Sequence, residues 1–124
     1  MKYLCLAYGD ERTLEAMSDA ELHAIIEETL AYNEELRFGG RLLAAELLQS
    51  GRSAVIVRVR DGKTLVTDGP FVETDKHLAG FFLITARDLN EAIQIASRMV
   101  QARVGCLEVR PIREPDGAQS GSRG

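Results

Sequence analysis

Two short stretches of this chain are apolar at nearly every position. They are the run Tyr3-Leu4-Cys5-Leu6-Ala7-Tyr8 and the run Ala79 to Thr85, which contains Phe81-Phe82-Leu83-Ile84. A strand with one wet face alternates apolar and polar residues, so continuous short runs predict strands covered on both faces. Residues 3–9 are therefore expected to be one such strand and 79–85 another. Between them the pattern changes several times. Residues 10–17 are polar and read as a loop. Ser18-Asp19-Ala20-Glu21 fits a capping box, in which Ser18 and Glu21 satisfy free backbone donors at a helix start. Leu22, Ile25, Ile26, Leu30 and Leu36 follow at close to the helical period. Gly39-Gly40 should end that helix, because glycine takes the left-handed conformation cheaply.

Residues 41–48 form a second apolar run, expected to be a strand ending near Ser50-Gly51. From Ala54 to Arg60 the alternation is regular, with Val55, Val57 and Val59 on one side and Arg58 and Arg60 on the other. That predicts a strand with one wet face. Asp61-Gly62 signals a hairpin, Thr64–Thr67 is the return strand, and Asp68-Gly69-Pro70 breaks it. Asp88 and Glu91 offer a second helix cap, followed by a stripe of Leu89, Ala92, Ile93, Ala96 and Val100. Gly105 precedes a last strand from Cys106 to about Ile112. Residues 114–124 are rich in Pro, Gly and Ser and read as a flexible tail on a single domain of residues 1–113.

The order of main elements is strand, helix, strand, strand, helix, strand. Two split β-α-β units of this kind give an α+β, ferredoxin-like sandwich with the two doubly apolar strands in the centre. Two helices cover only one face of such a sheet. The central strands are apolar on both faces, so something else must cover the second. A large bare apolar patch marks an interface, which predicts a homodimer packed sheet to sheet. The competing expectation is a monomer whose 61–78 region folds over that face.

Composition narrows the function. The 124 residues carry 15 Lys+Arg and 19 Asp+Glu, a net charge of −4. That balance argues against direct nucleic-acid binding, which needs a basic footprint. No apolar run approaches the ~20 residues of a membrane span. The apolar start is too short for a secretory leader and is followed at once by Asp10-Glu11, so a core strand is expected there and the protein is expected in the cytoplasm. Cys5 and Cys106 sit in apolar runs and are expected to be buried free thiols, although on neighbouring strands a disulfide between them is sterically allowed. Two histidines, His23 and His77, are too few for a His-rich metal site. No glycine-rich phosphate loop, serine-hydrolase elbow or zinc spacing occurs, so no cofactor and no metal is expected.

The densest chemistry lies in residues 68–77, where Asp68, Glu73, Asp75, Lys76 and His77 follow a strand and a Gly-Pro break. Asp68, Glu73 and His77 are the candidate catalytic residues. A carboxylate beside an imidazole suits general acid–base work, and Lys76 suits an anionic ligand. The competing reading is structural. Asp68 would accept from the backbone two residues on, Gly69 would supply an unusual dihedral, and Phe71 would plug the core or a dimer seam. Arg58, Arg60 and Lys63 make a small basic ridge, most simply a wet strand face. Tyr3, Tyr8 and Tyr32 either line an aromatic pocket or sit half-buried in the core.

The segment Asp68-Gly69-Pro70-Phe71-Val72-Glu73-Thr74 resembles the DGPF signature of the YCII-related family. The opening Met1-Lys2-Tyr3 strand, the Gly39-Gly40-Arg41-Leu42 turn and the ending Glu108-Val109-Arg110-Pro111-Ile112 resemble the same family, over roughly residues 1–113. The resemblance implies the dimeric α+β barrel version of the fold. It also implies a His–Asp pair in some members, activity on chlorinated aromatic compounds in one branch, and genes beside alternative sigma factors in others. The family histidine should fall late in the first helix. Here Thr29-Leu30-Ala31-Tyr32 stands in that place, so the pair is not carried over, and Asp75-Lys76 reverses the family's Lys-Glu order. Two functions are left. One is a small-molecule binder or enzyme for an anionic or aromatic metabolite. The other is a non-catalytic partner of a transcription (sigma) factor.

Overall fold

The computed structural model describes residues 1–71 and 76–115. The first apolar run forms β1 (Lys2–Asp10). Asp10 then caps a one-turn helix, α1 (Glu11–Glu15), by accepting from the Arg12 N–H at 2.9 Å. Residues 10–17 are thus not all loop, as expected from their polarity. A single turn is too short to show an apolar stripe, and only its cap identifies it. The long helix α2 (Asp19–Phe38) starts on the anticipated capping box. Ser18 Oγ accepts from the Glu21 N–H at 3.1 Å, and Glu21 Oε1 accepts from the Ser18 N–H at 2.8 Å. It ends at Gly39, and Gly40 turns the chain with φ +74°.

Next come β2 (Leu42–Leu47), a 3-10 turn at Gly51–Ser53, β3 (Val55–Arg60) and β4 (Lys63–Asp68). Then follow β5 (Lys76–Thr85), α3 (Leu89–Ser97), α4 (Gln101–Val104) and β6 (Cys106–Pro111). The cap at Asp88 forms, but Glu91 Oε1 reaches back to the Arg87 N–H rather than to Asp88. The expected tail begins beyond β6, and residues 116–124 of it lie outside the described residues.

Four strands make one antiparallel sheet in the order β2-β5-β1-β6. This α+β architecture is compatible with a ferredoxin-like fold, and the two doubly apolar strands are central, as their patterning required. Tyr3, Cys5 and Ala7 of β1 and Phe82 and Ile84 of β5 point to the helix side. There they pack with Leu36, Ala92, Ile95, Ala96 and Met99. Burying each of the larger side chains contributes about 1.5–3 kcal/mol. The helix stripes are rotated from the sequence expectation. On α2 the buried residues are Thr29, Asn33 and Leu36, whereas Leu30 is 58% exposed. Thr29 is kept satisfied there, donating to the Ile25 carbonyl at 2.8 Å and accepting from Gln101 Nε2 at 2.9 Å. On α3, Ile95 is buried while Leu89 and Ile93 face out.

The opposite sheet face carries Leu4 across from Leu83, Leu6 across from Phe81, and Tyr8 across from Leu78. Glu108 and Arg110 of β6 flank this row on one side and Glu46 of β2 on the other. Leu4, Leu6, Phe81 and Leu83 are half-buried on this face, and the buried core packs with the helices on the other.

The β3–β4 hairpin is a separate two-stranded sheet that makes no extensive contact with the larger one among the described residues. Its Asp61-Gly62 turn has φ of 52° and 74°, the paired positive values that suit a two-residue hairpin. Val55, Val57 and Val59 do share a face, but they are 60–61% exposed rather than turned into the core.

The two cysteines are free. Cys5 pairs with Val109 and faces the helices, whereas Cys106 pairs with Tyr8 on the open face. They project from opposite sides of the sheet, which precludes a disulfide between them. Cys106 is exposed, not buried as its apolar neighbours suggested. Burial pushes the Cys5 thiol up to about 11.

Candidate functional site

Where β1 leaves the sheet, the pairing with β5 slips by one residue. Ala7 stands across from Gly80, but Tyr8 stands across from Leu78 and Gly9 across from His77. The slip leaves Ala79 as an extra residue, a β-bulge, and reverses the faces of the residues before it. His77 is therefore placed on the side where α1 begins.

A cleft of about 860 Å³ opens at this end of the sheet, between the 48–54 segment, the 70–71 segment and the start of β5. Its wall includes Tyr8, Ser50, Phe71, Lys76 and His77, with Leu48, Leu78 and Pro70 as apolar surface. A smaller hollow of about 270 Å³ adjoins it and shares His77, Ser50 and Leu78 while adding Glu11, Glu15 and Arg52. His77 is half-buried between the two.

Glu11, the first residue of α1, reaches across to the 3-10 turn. Its Oε2 accepts from the Gly51 N–H at 3.3 Å, and the Ser50 hydroxyl also bonds to the carboxylate. The Ser50 bond is the main cause holding the Glu11 carboxyl below its usual range. Burial opposes it, while the Gly51 N–H and the charges of His77 and Arg52 add to the lowering. Arg52 in turn binds Glu15 at 2.9 Å. Gly51 is the pivot of the arrangement. A Cβ there would sit 3.4 Å from Pro70 Cγ and 3.5 Å from His77 Nδ1.

The other sequence candidates are placed less centrally. Asp68 ends β4 on the exposed face that it shares with Val55 and does not line the cleft. Glu73 and Asp75 lie outside the described residues. The Asx-turn expected at Asp68 has no donor, since the residue two on is Pro70, which carries no N–H. Instead the Gly69 N–H donates to the Ala54 carbonyl at 2.9 Å. Gly69 has no positive φ. Its need for glycine is close approach, because a Cβ would lie 3.1 Å from Ala54 Cβ. The Gly69-Pro70 peptide is cis.

Phe71 plugs no core. It is 72% exposed, lines the cleft and carries the Arg58 guanidinium 5.6 Å from its ring centre. Of the three tyrosines, Tyr3 is fully buried, and Tyr32 donates to the Ile95 carbonyl at 2.8 Å. Tyr8 alone reaches the cleft, and its hydroxyl bonds Glu108 at 3.2 Å. His23 is exposed on α2 beside Glu27. Among the described residues no group of His, Cys, Asp and Glu is placed to hold a metal ion, and no helix is long and apolar enough to cross a membrane.

Glu11, Ser50 and Arg52 line this site without being legible as site residues in the sequence. They come from two segments about forty residues apart that each read as ordinary polar loop, and no spacing rule joins them to position 77.

A small α+β protein with one bare sheet face and an open cleft at the sheet's end is the class these observations define. The chain belongs to the YCII-related family, whose domain description matches residues 1–116. An uncharacterised protein of Rhizobium meliloti (strain 1021) is 34% identical over 114 residues, covering 90% of this chain and 92% of that relative.

Proposed function

We propose that this chain is a small-molecule-binding or enzymatic member of the YCII-related family, of its DGPF branch. Its ligand is a small anionic or aromatic metabolite, and His77 is its proton-transfer group. The observation that carries this reading is the cleft, which gathers an imidazole, the Lys76 ammonium, the Tyr8 phenol and the Phe71 ring around an apolar wall. Its size lies within the roughly 300–1,000 Å³ typical of ligand pockets. An aromatic anion would stack on Phe71 and Tyr8 while its charge meets Lys76 and His77.

The same reading takes the working form to be a homodimer joined through the Leu4, Leu6, Phe81 and Leu83 face, the dimeric α+β barrel arrangement. A bare row of this kind in a small protein is most simply covered by a second copy of itself. Two unpaired thiols suit a reducing compartment such as the cytoplasm. The exposed valines of the β3–β4 hairpin favour the second function, a docking module for another protein such as a sigma factor.

Native mass spectrometry of the purified protein with no ligand added tests the reading. A dimer near twice 13.7 kDa with a discrete extra mass, lost in a folded His77→Ala variant, is expected. A bare dimer that takes up no aromatic anion would move the weight to the docking module. A bare monomer would overturn the sheet-to-sheet account.

A further inference from the structure

The buried face of α2 carries a polar side chain that the fold leaves unpaired. Thr29, Asn33 and Leu36 stand at helical spacing on that face. The Thr29 hydroxyl is fully engaged, with the Ile25 carbonyl on one side and Gln101 Nε2 on the other. Asn33 is only 9% exposed, and its carboxamide makes no hydrogen bond among the described residues. That group offers two N–H donors and a carbonyl acceptor. Holding them away from water without partners costs free energy that an apolar side chain would not cost. A break of this kind in an otherwise consistent packing pattern is characteristic of a functional position.

Asn33 does not face a closed core. It lines a hollow of about 280 Å³ between α2 and the edge strand β2. Leu30, Leu47 and Phe82 form the apolar wall, and Glu46 borders it. Leu30 and Leu47 are exposed while Phe82 is fully buried, so the hollow runs from the surface to the core. It shares no lining residue with the cleft at the end of the sheet or with the hollow beside that cleft. No Lys, Arg or His lines it among the described residues.

We propose that this hollow is a second ligand site, that it takes a small uncharged carboxamide, and that Asn33 is the group that recognises it. Two carboxamides pair with each other through two hydrogen bonds. The ligand N–H donates to the Asn33 carbonyl, and the Asn33 N–H donates to the ligand carbonyl. The apolar body of the ligand then lies against Leu30, Leu47 and Phe82. Charge is excluded by the lining. An anion would leave water with no cation to meet it and with the Glu46 carboxylate at the rim. The volume sits at the small end of the roughly 300–1,000 Å³ of ligand pockets, which restricts the ligand to a few heavy atoms. The charge preference is thus opposite to that of the cleft with Lys76 and His77, and the proposal does not depend on what the cleft binds.

Nitrogen-15 NMR of asparagine-labelled protein reads the site directly. The chain has two asparagines, and Asn90, exposed on α3, is the internal control. The probes are isobutyramide and isobutyrate, an amide and an anion of nearly the same shape. Isobutyramide is expected to move the Asn33 side-chain N–H signals saturably and to leave those of Asn90 in place. Isobutyrate should bind at least about tenfold more weakly, as the loss of two hydrogen bonds implies. Equal binding of the two probes overturns the assignment to a carboxamide. A shift that does not saturate, or that Asn90 shares, shows a hollow filled by water alone and overturns the site.

Asn33→Leu separates recognition from structure. The variant is expected to fold with a melting temperature at or above that of the wild type, because it removes an unpaired buried amide. Followed by the backbone N–H signals of Ala45 and Phe82, its isobutyramide affinity should fall at least about tenfold. A large drop in melting temperature would show that the amide holds the fold together, and unchanged affinity would show that it does not recognise the ligand. Either result overturns the proposal. Should Asn33→Leu not fold, Asn33→Ala is titrated in the same way, and unchanged affinity there overturns it equally.

Discussion

Gly9 stands across from His77, although an unbroken ladder from the Ala7–Gly80 pair would have put Leu78 there. That one-residue slip decides which side of the sheet the imidazole faces. Without it His77 would lie on the bare face with Leu4 and Leu6, away from α1. With it the ring meets the hollow shared with Glu11, and glycine at position 9 leaves no side chain across the strand to cover it.

The Glu11 clamp has a pH signature. Its carboxyl is held below the usual range, first by the Ser50 hydroxyl, so the folded value lies below the unfolded one. Such a group stabilises the fold above the ordinary carboxylate range of about 4.3 and loses that contribution as pH falls through its folded value. The melting-temperature gap between wild type and Ser50→Ala should therefore be full near pH 7 and shrink in acid. A gap that is constant from pH 7 to 3 would show that Ser50 acts without the carboxylate.

The two thiols should behave very differently toward a labelling reagent. Cys5 is fully buried and its thiol is pushed up to about 11, so it should be inert in the native protein. Cys106 is exposed and should react. Because it lies on the face proposed here as the dimer contact, its labelling rate should fall as protein concentration rises. Under denaturing, non-reducing conditions both thiols should titrate.

The bare sheet face can be tested without disturbing the core. Leu4 points away from the helices, across from Leu83, so Leu4→Arg adds charge to the open face alone. A folded monomer by sedimentation velocity is the expected result. Retention of the dimer would place the contact elsewhere.

The capping box at the start of α2 has a known scale. Ser18→Ala removes the acceptor for the Glu21 N–H and should cost about 1 kcal/mol, or roughly 3–6 °C in a chain of this size. The alternative test, Glu21→Ala, removes the reciprocal bond to the Ser18 N–H. Both are read by thermal unfolding at neutral pH.

The ion-pair group around Glu91 joins three parts of the chain. Its carboxylate accepts from the Arg87 N–H at 2.7 Å and from Arg41 at 2.8 Å, and it is 7% exposed. The Arg87 N–H is the main cause holding its carboxyl below the usual range, burial opposes it, and Arg41 adds to the lowering. Glu91→Gln should lower the melting temperature at pH 7 and much less in acid, where the wild-type carboxyl is also neutral.

The sequence by itself determined the order of the main strands and of the two main helices, the capping box at Ser18 and Glu21, the turn at Asp61-Gly62 and the central places of the two apolar strands. Each of these is set by short-range rules, since period, cap and turn chemistry act over a few residues. It also put His77 on the list of candidate groups. It did not show Glu11, which reads as one more polar residue after a strand, nor the clamp that Ser50 and Gly51 supply from forty residues away.

Only the tertiary structure decided these. A bulge depends on how two distant strands come into register, and the faces of α2 and α3 depend on the angle at which they cross the sheet. Those long-range fits turned Leu30 and Ile93 outward, left the hairpin valines bare and separated Asp68 from the cleft. They also brought Glu11, Ser50 and His77 to one place.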